Sequence, residues 1–274
     1  MSQLYIVPTP IGNVDDMVPR AVSVLQQVDI IAAEDTRHSR HLLNMFDIKT
    51  KLVAYHEHNE QTQTEHLLTQ LQAGLNIALI SDAGTPLISD PGYRLVKRAV
   101  ESDITVIPIP GPVAAMVALS ASGLACDRFT FEGFLPAKRG KRVAQLQALK
   151  NESCTVIFYE SPHRVLSVIE DMLDVFGAVR RVSVARELTK QFETIKTARL
   201  DELLAWMQAD SNQQRGEFVL LVEGVEQAPG KQSIDAQTLA ERLAEELPPN
   251  RAAAITAELC GLNKRDVYQM LLDK

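Results

Sequence analysis

The sequence predicts an α/β fold of two lobes followed by a small helical tail. Short runs of Val, Ile, Leu and Ala alternate with amphipathic stretches from residue 4 to residue 222. In the first half these runs lack polar alternation, which is what a parallel sheet buried on both faces requires. After Glu223 the composition shifts to a polar stretch, 224–233, containing Pro229 and Gly230, and only helical patterns follow. The lobes are expected over 1–123 and 124–225, and the tail over 233–274.

Taken in order, Leu4–Val7 reads as a strand, Val18–Gln27 as a helix, Ile30–Ala33 as a strand and Ser39–Phe46 as a helix. A helix over Gln61–Ala73, a strand at Ile77–Ile80, a helix at Tyr93–Glu101, a strand at Ile104–Ile107 and a helix at Val113–Ser122 complete the first lobe. The second lobe opens with Phe129–Phe134, where apolar and polar residues alternate as in a half-exposed strand. It continues with a helix at Lys141–Leu149, a strand at Thr155–Tyr159, a helix at Arg164–Phe176, a strand at Val182–Ala185, a helix at Leu200–Gln208 and a strand at Glu217–Val222. In the tail, Ala236–Leu247 is a helix stopped by Pro248–Pro249, Arg251–Cys260 a second ended by Gly261, and Lys264–Leu272 a third. The last two, joined by Gly261–Leu262–Asn263, read either as a helix-turn-helix or as a cap on the second lobe.

A chain of 274 residues, 46% hydrophobic and 23% charged, builds its core without staples. Cys126, Cys154 and Cys260 are far apart and form no CxxC or Cys/His cluster, so no metal site is expected and each reads as a small buried hydrophobe. The N-terminus has no basic and apolar leader pattern, and proline-broken apolar runs fall short of the ~20 residues of a membrane span. The expected location is the cytoplasm. A net charge of −7 argues against a generic nucleic-acid binder. Yet Lys138, Arg139, Lys141, Arg142 and Lys150 fall between Phe134 and Asn151 with no acidic residue among them, a local patch able to steer a polyanion.

In an open parallel sheet, ligands bind beyond the carboxyl ends of the strands, so the loops there carry the functional reading. Pro8-Thr9-Pro10-Ile11-Gly12-Asn13 is neither a dinucleotide fingerprint nor a P-loop, and reads equally as a tight turn. Ser81–Gly92 packs two Asp, two Gly, two Pro, two Ser and a Thr after a buried strand. Its length favours ligand binding, with backbone groups for an adenine or ribose and carboxylates near a cation. Pro108–Pro112 stiffens a helix entrance, and the alanines beyond it serve packing as readily as ligand access. Glu34–His41 mixes both charge signs, although Asp35 or Thr36 serves equally as a helix cap. No nucleophile elbow and no HExxH is present.

The succession VPTPIGN, AEDTRHSRHLL, SDAGTPLISDPG, IPGPVAA, EGFLPAKRGKR, FYESPHR, ARELTK and GEFVLLVEG resembles the tetrapyrrole methylase family, in its small-subunit ribosomal RNA 2′-O-methyltransferase branch. The resemblance covers about residues 4–224 and extends to the tail. It implies a tetrapyrrole-methylase-like fold with a cleft for S-adenosylmethionine (SAM) between the lobes, a homodimer, and a cytidine ribose of small-subunit ribosomal RNA, free or in the assembled subunit, as acceptor. By carry-over, Pro10, Gly12, Ser81, Asp82, Ala83, Gly84, Thr85, Ile88, Pro110, Gly111, Ala114, Ala115 and Tyr159 line the cofactor pocket. The first loop lacks the glycine-rich run of porphyrin-modifying members, which favours RNA over a tetrapyrrole. A ribose hydroxyl needs a base, for which Asp35, His38, Glu132, Glu187 and Lys190 are candidates. Lys138, Arg139, Lys141 and Arg142, with Arg37 and Arg186, are the candidate RNA contacts. The rival functions are methylation of a small molecule such as a tetrapyrrole, and a non-catalytic ribosome-associated RNA-binding factor.

Overall fold

The computed structural model describes residues 2–226 and 235–272, so the expected linker lies, from residue 227 on, outside the described residues. The chain divides into two compact units, Met1–Val225 and Glu226–Lys274.

The first half builds a parallel sheet in the order β3-β2-β4-β1-β5, from β1 (Gln3–Ile6), β2 (Ile30–Ala33), β3 (Lys51–Ala54), β4 (Ile77–Ile80) and β5 (Thr105–Pro108). The two-residue period of the strands sorts its side chains into two cores. Val7, Ile31, Ala33, Ala78 and Ile80 meet α1 (Pro19–Gln27) and α2 (Thr36–Met45) on one face. Leu4, Ile6, Ile30, Ala32, Ile77 and Leu79 meet α3 (Glu60–Gln72) and α4 (Tyr93–Glu101) on the other. The connections leaving the adjacent strands β1 and β4 therefore run to opposite faces, which opens a crevice beyond their carboxyl ends.

The second sheet is mixed, in the order β6-β7-β10-β8-β9, built from β6 (Phe129–Phe134), β7 (Thr155–Glu160), β8 (Arg181–Arg186), β9 (Thr194–Arg199) and β10 (Phe218–Val222). Only β6 and β7 pair in parallel. One face, with Val156, Phe158, Val184 and Leu220, packs on α6 (Arg139–Ala148), α7 (Val165–Phe176) and α8 (Leu200–Ala209). The other face, with Ile157, Ala185, Val219 and Leu221, receives Ala115, Ala118 and Leu119 of α5 (Ala114–Ser122). The alanines of α5 thus serve close packing of a first-half helix on the second sheet.

The sequence reading omits β3 and β9, both sheet edges. Lys51 is exposed, and TIKTAR of β9 carries charges where a central strand would not. Helix α2 begins three residues before the expected Ser39, because Asp35 caps it by accepting from the amides of Arg37 and His38. Of the cysteines only Cys154 is buried; Cys126 is exposed and Cys260 partly so, which corrects the expectation for those two.

In the tail, α9 (Ala236–Glu246), α10 (Pro249–Cys260) and α11 (Lys264–Leu272) enclose Ala240, Ala253, Ala257 and Val267. Pro249 opens α10 rather than stopping α9, since a proline suits the first helical position. Gly261, left-handed at φ 67°, ends α10, and Asn263 accepts from the amide of Arg265 at the start of α11. No helix among the described residues is long and apolar enough to cross a membrane.

Candidate active site

The loop after β1 is stitched to the loop after β4. The Thr9 amide donates to the Gly84 carbonyl at 2.9 Å and the Gly84 amide donates back at 3.0 Å. Thr9 Oγ1 donates to the Ser81 carbonyl, Ser81 Oγ to that of Gly84, and Thr85 Oγ1 to that of Pro112. Three strand-end loops of the first sheet are thereby held as one wall. A cavity of about 400 Å³ lies against it, within the range of small-molecule sites.

Asp82, Ala83, Gly84, Thr85, Ile88, Ser89 and Asp90 line this wall, with Ile11 and Glu34 from neighbouring loops and Val113–Ala114 from the start of α5. The ends of β6, β7, β8 and β10 form the opposite wall, contributing Phe134, Tyr159–Pro162, Ala185, Leu188 and Glu217–Val219. Tyr159 spans the gap: its hydroxyl accepts from the Ala115 amide at 3.2 Å, satisfying a donor of the first turn of α5. Burial raises its pKa, against the pull of that hydrogen bond. Both loops hold non-glycine residues in the left-handed region, Leu87 and Ser89 on one side and Glu187 and Thr189 on the other. Such strain, fixed by the surrounding structure, gathers at functional sites.

The cavity carboxylates are electrostatically unusual. Burial, reinforced by Glu34 and Asp82, pushes Asp90 up to about 7, while the Ser81 hydroxyl pulls the other way. Glu34 is likewise raised, by burial first and by Asp82 second. Asp82 is held by the Asp35 amide, which donates to its Oδ1 at 3.1 Å. Glu160 is buried; its Oε1 takes Arg164 and the Ser161 amide, while Oε2 has no hydrogen-bond partner. The site is therefore short of cations and rich in acceptors, which suits a positively charged ligand carrying amino and hydroxyl donors. Among the described residues no His, Cys, Asp and Glu cluster is arranged to hold a metal.

Seven of the thirteen residues expected at the cofactor line this cavity: Asp82, Ala83, Gly84, Thr85, Ile88, Ala114 and Tyr159. Pro10, Gly12, Ser81, Pro110, Gly111 and Ala115 do not, and several of them support it instead. Ser81 and Ala115 are buried and make the hydrogen bonds just described. Gly12 lets the first loop approach the second half: a Cβ there would lie 2.6 Å from Lys190 Cγ and 2.9 Å from the Leu188 carbonyl oxygen.

None of the five expected bases lines the cavity. Asp35 is the cap of α2, its amide hydrogen bonds from Arg37 and His38 holding its carboxyl below the usual range, and His38 is exposed in the first turn of that helix. Glu132 accepts from Gln145 Nε2. Lys190 Nζ is clamped between Glu187 and Glu217, at 3.0 Å from each. Burial opposes the charge on both Lys190 and Glu187, but the hydrogen bonds prevail, raising the lysine and lowering the glutamate. A lysine held protonated cannot take a proton. Of the five carboxylates that line the cavity only Asp82 is among the expected site residues; Glu34, Asp90, Glu160 and Glu217 are not.

Two expected RNA contacts are also corrected. Arg186 is buried and donates to the carbonyls of Arg215 and Phe192 and to Thr194 Oγ1. Arg142 is buried against Asp171, with Nη2 at 2.6 Å from Oδ2. Arg139 is turned to Asp171 and Asp174, although its side chain is 69% exposed. Lys138, Lys141 and Arg37 are exposed.

Comparison with known proteins places these features in a family. Residues 3–204 match the family described as Tetrapyrrole (Corrin/Porphyrin) Methylases, and residues 231–274 match the RsmI C-terminal HTH domain. The chain is 53% identical over 273 residues to the Ribosomal RNA small subunit methyltransferase I of Pseudomonas aeruginosa, covering 99% of this chain and 97% of that one. It is 47% identical to the protein of the same name from Synechocystis sp., covering 100% and 98%. Among solved structures, diphthine synthase shares the fold with a TM-score of 0.63 at 13% identity, covering 81% of this chain and 90% of that one. Uroporphyrin-III C-methyl transferase from Thermus thermophilus, complexed with S-adenyl homocysteine, does so with a TM-score of 0.57 at 16% identity, covering 81% and 97%.

Proposed function

Because the chain belongs to the tetrapyrrole methylase family, a family of SAM-dependent methyltransferases, we propose that it methylates small-subunit ribosomal RNA, at the 2′-hydroxyl of a cytidine. The observation that carries this reading is the cavity itself, which offers carboxylates and strained loop backbone at the β1/β4 crevice. The names of the relatives supply the acceptor class.

The residues present fit the cofactor. Glu160 Oε2 is a buried acceptor without a partner, and Glu34, Asp82 and Asp90 put negative potential on the opposite wall. When bound, SAM supplies a methyl group on a positively charged sulfur. The protein then has two tasks. It holds acceptor oxygen and methyl carbon in line, which is worth about 7–11 kcal/mol of the barrier in well-oriented reactions. It also receives the hydroxyl proton as the O–C bond forms and the C–S bond breaks. Asp90 is the carboxylate suited to that proton, because its environment brings it close to neutral pH, where a general base works best. Tyr159, tied to Ala115, keeps the two walls in register.

Lys138 and Lys141 hold the RNA backbone from the exposed start of α6, where positive charge opposes the helix dipole and so finds no local reason to be. Replacing both by alanine flattens the dependence of log affinity on log salt by about 0.7 for each single-strand phosphate contact removed. An unchanged slope assigns the run to a solvated helix start. The same reading makes the protein a cytoplasmic homodimer, and sedimentation of the purified chain checks the dimer.

Methyl transfer from labelled SAM to assembled small subunits and to free RNA tests the function. Label recovered as 2′-O-methylcytidine supports it. Cofactor binding without label in either acceptor turns the reading toward a small-molecule acceptor such as a tetrapyrrole.

A further inference from the structure

We propose that Phe134 is the platform on which the base of the target nucleotide stacks while its ribose reaches the cofactor; the proposal rests on the RNA-methylation reading above. A cavity of about 400 Å³ is at the small end of ligand sites. With a cofactor of that class in the cavity, the open rim is the part left to hold a nucleotide base. Three aromatic residues line the cavity. Phe218 is buried and Tyr159 half-buried, whereas Phe134 is 54% exposed.

That exposure is built into the strand. Phe131 and Phe134 are three residues apart, and in a regular strand they would point to opposite faces. Both nevertheless meet the Tyr159 ring edge-on, at centroid distances of 4.9 and 5.6 Å. Parity is reversed by a bulge: Phe131 pairs with Ile157 and Gly133 with Phe158, leaving Glu132 as the extra residue. Gly133 takes φ 63°, and a Cβ there would approach Ser89 Oγ of the cavity loop to 3.4 Å. Bulges beside active sites re-aim side chains. Here the bulge carries a large apolar ring to the mouth, braced by a tyrosine that is itself anchored. Exposed Lys138 and Lys141 follow within seven residues, so one short segment offers a ring for a base and cations for phosphates. This is the combination that holds an unstacked nucleotide.

The test uses the full chain and small subunits lacking the methyl group. Subunit affinity is measured by co-sedimentation with S-adenosylhomocysteine present, KM and kcat by label transfer, and SAM affinity by calorimetry without RNA. Phe134→Ala and Phe134→Leu should each weaken subunit affinity and raise its KM by about 5- to 150-fold, the range for losing one base–aromatic stack, with SAM affinity unchanged. Phe134→Tyr should restore both. A Leu variant equal to wild type overturns the proposal, because an aliphatic side chain packs on Tyr159 but gives no stack. Lost SAM affinity with unchanged subunit affinity also overturns it, by assigning the ring to the cofactor. A wild-type protein that binds subunits through Phe134 yet transfers no label would instead sink the methylation reading and leave the platform standing.

Discussion

Asp90→Asn lowers methyl transfer by about 10²–10⁴-fold, the usual contribution of a general base, while SAM affinity changes far less. The substitution keeps the shape of the side chain but removes the ability to accept a proton. The wild-type rate has an acid limb at or below pH 7, where Asp90 becomes protonated, and the variant lacks it. Folding stability carries the opposite signature. Asp90 is raised from 3.8 to about 7, so its contribution to stability is complete below about pH 3.8 and is lost progressively as pH rises to about 7. Asp90→Asn therefore gains stability over wild type across that window and holds the gain above it, which thermal unfolding at pH 4, 6 and 8 measures. A variant that is less active and more stable at pH 8 fits a carboxylate kept for chemistry. Near-normal turnover would eliminate Asp90 as the base and move attention to Glu34.

Arg142→Ala destabilises the fold by about 3–5 kcal/mol, the cost of leaving half of a buried ion pair behind. Asp171 is 1% exposed and takes Arg142 on Oδ2 and Arg139 on Oδ1. Removing Arg142 strands a carboxylate between α6 and α7 with only the outer arginine to balance it. Urea unfolding should show the loss, and replacing the pair together, as Arg142→Met with Asp171→Leu, should recover most of it. The salt dependence of RNA binding should not respond to either change. If the single variant were as stable as wild type but flattened the salt slope, Arg142 would return to the RNA surface.

The contrast between Lys141 and Arg142 shows what a sequence can and cannot tell. The basic run is visible as composition, but it does not show which members turn inward. That is decided by Asp171, 29 residues further on, and on a helix two adjacent positions face different neighbours. The central strands were legible because sheets buried on both faces demand continuous apolar runs, as in IIAA and IALI. The edge strands KLVA and TIKTAR were not, because edges tolerate charge. The loop Ser81–Gly92 announces itself by composition, which does not single out its last carboxylate. Leu87 and Ser89 adopt left-handed backbone just before Asp90, and neither residue type signals that turn. Phe134 was hidden in the same way, by a bulge that reverses the strand's alternation. The signal available for Asp90 was its place in a second Ser-Asp pair of one loop, Ser81-Asp82 and Ser89-Asp90.

Helix α5 gives the two halves a common fate. It follows the last strand of the parallel sheet, but Ala115, Ala118 and Leu119 lie against Ile157, Val219 and Leu221 of the mixed sheet. A chain severed at Gly123 would leave the first piece with a naked apolar helix and the second with a naked sheet face. Neither half is thus equipped to persist alone, and unfolding that opens the cavity loosens both sheets together. Cofactor binding between the walls therefore acts on the cooperativity of the whole catalytic unit: a ligand touching only strand-end loops raises the melting temperature of α8 as much as that of α1.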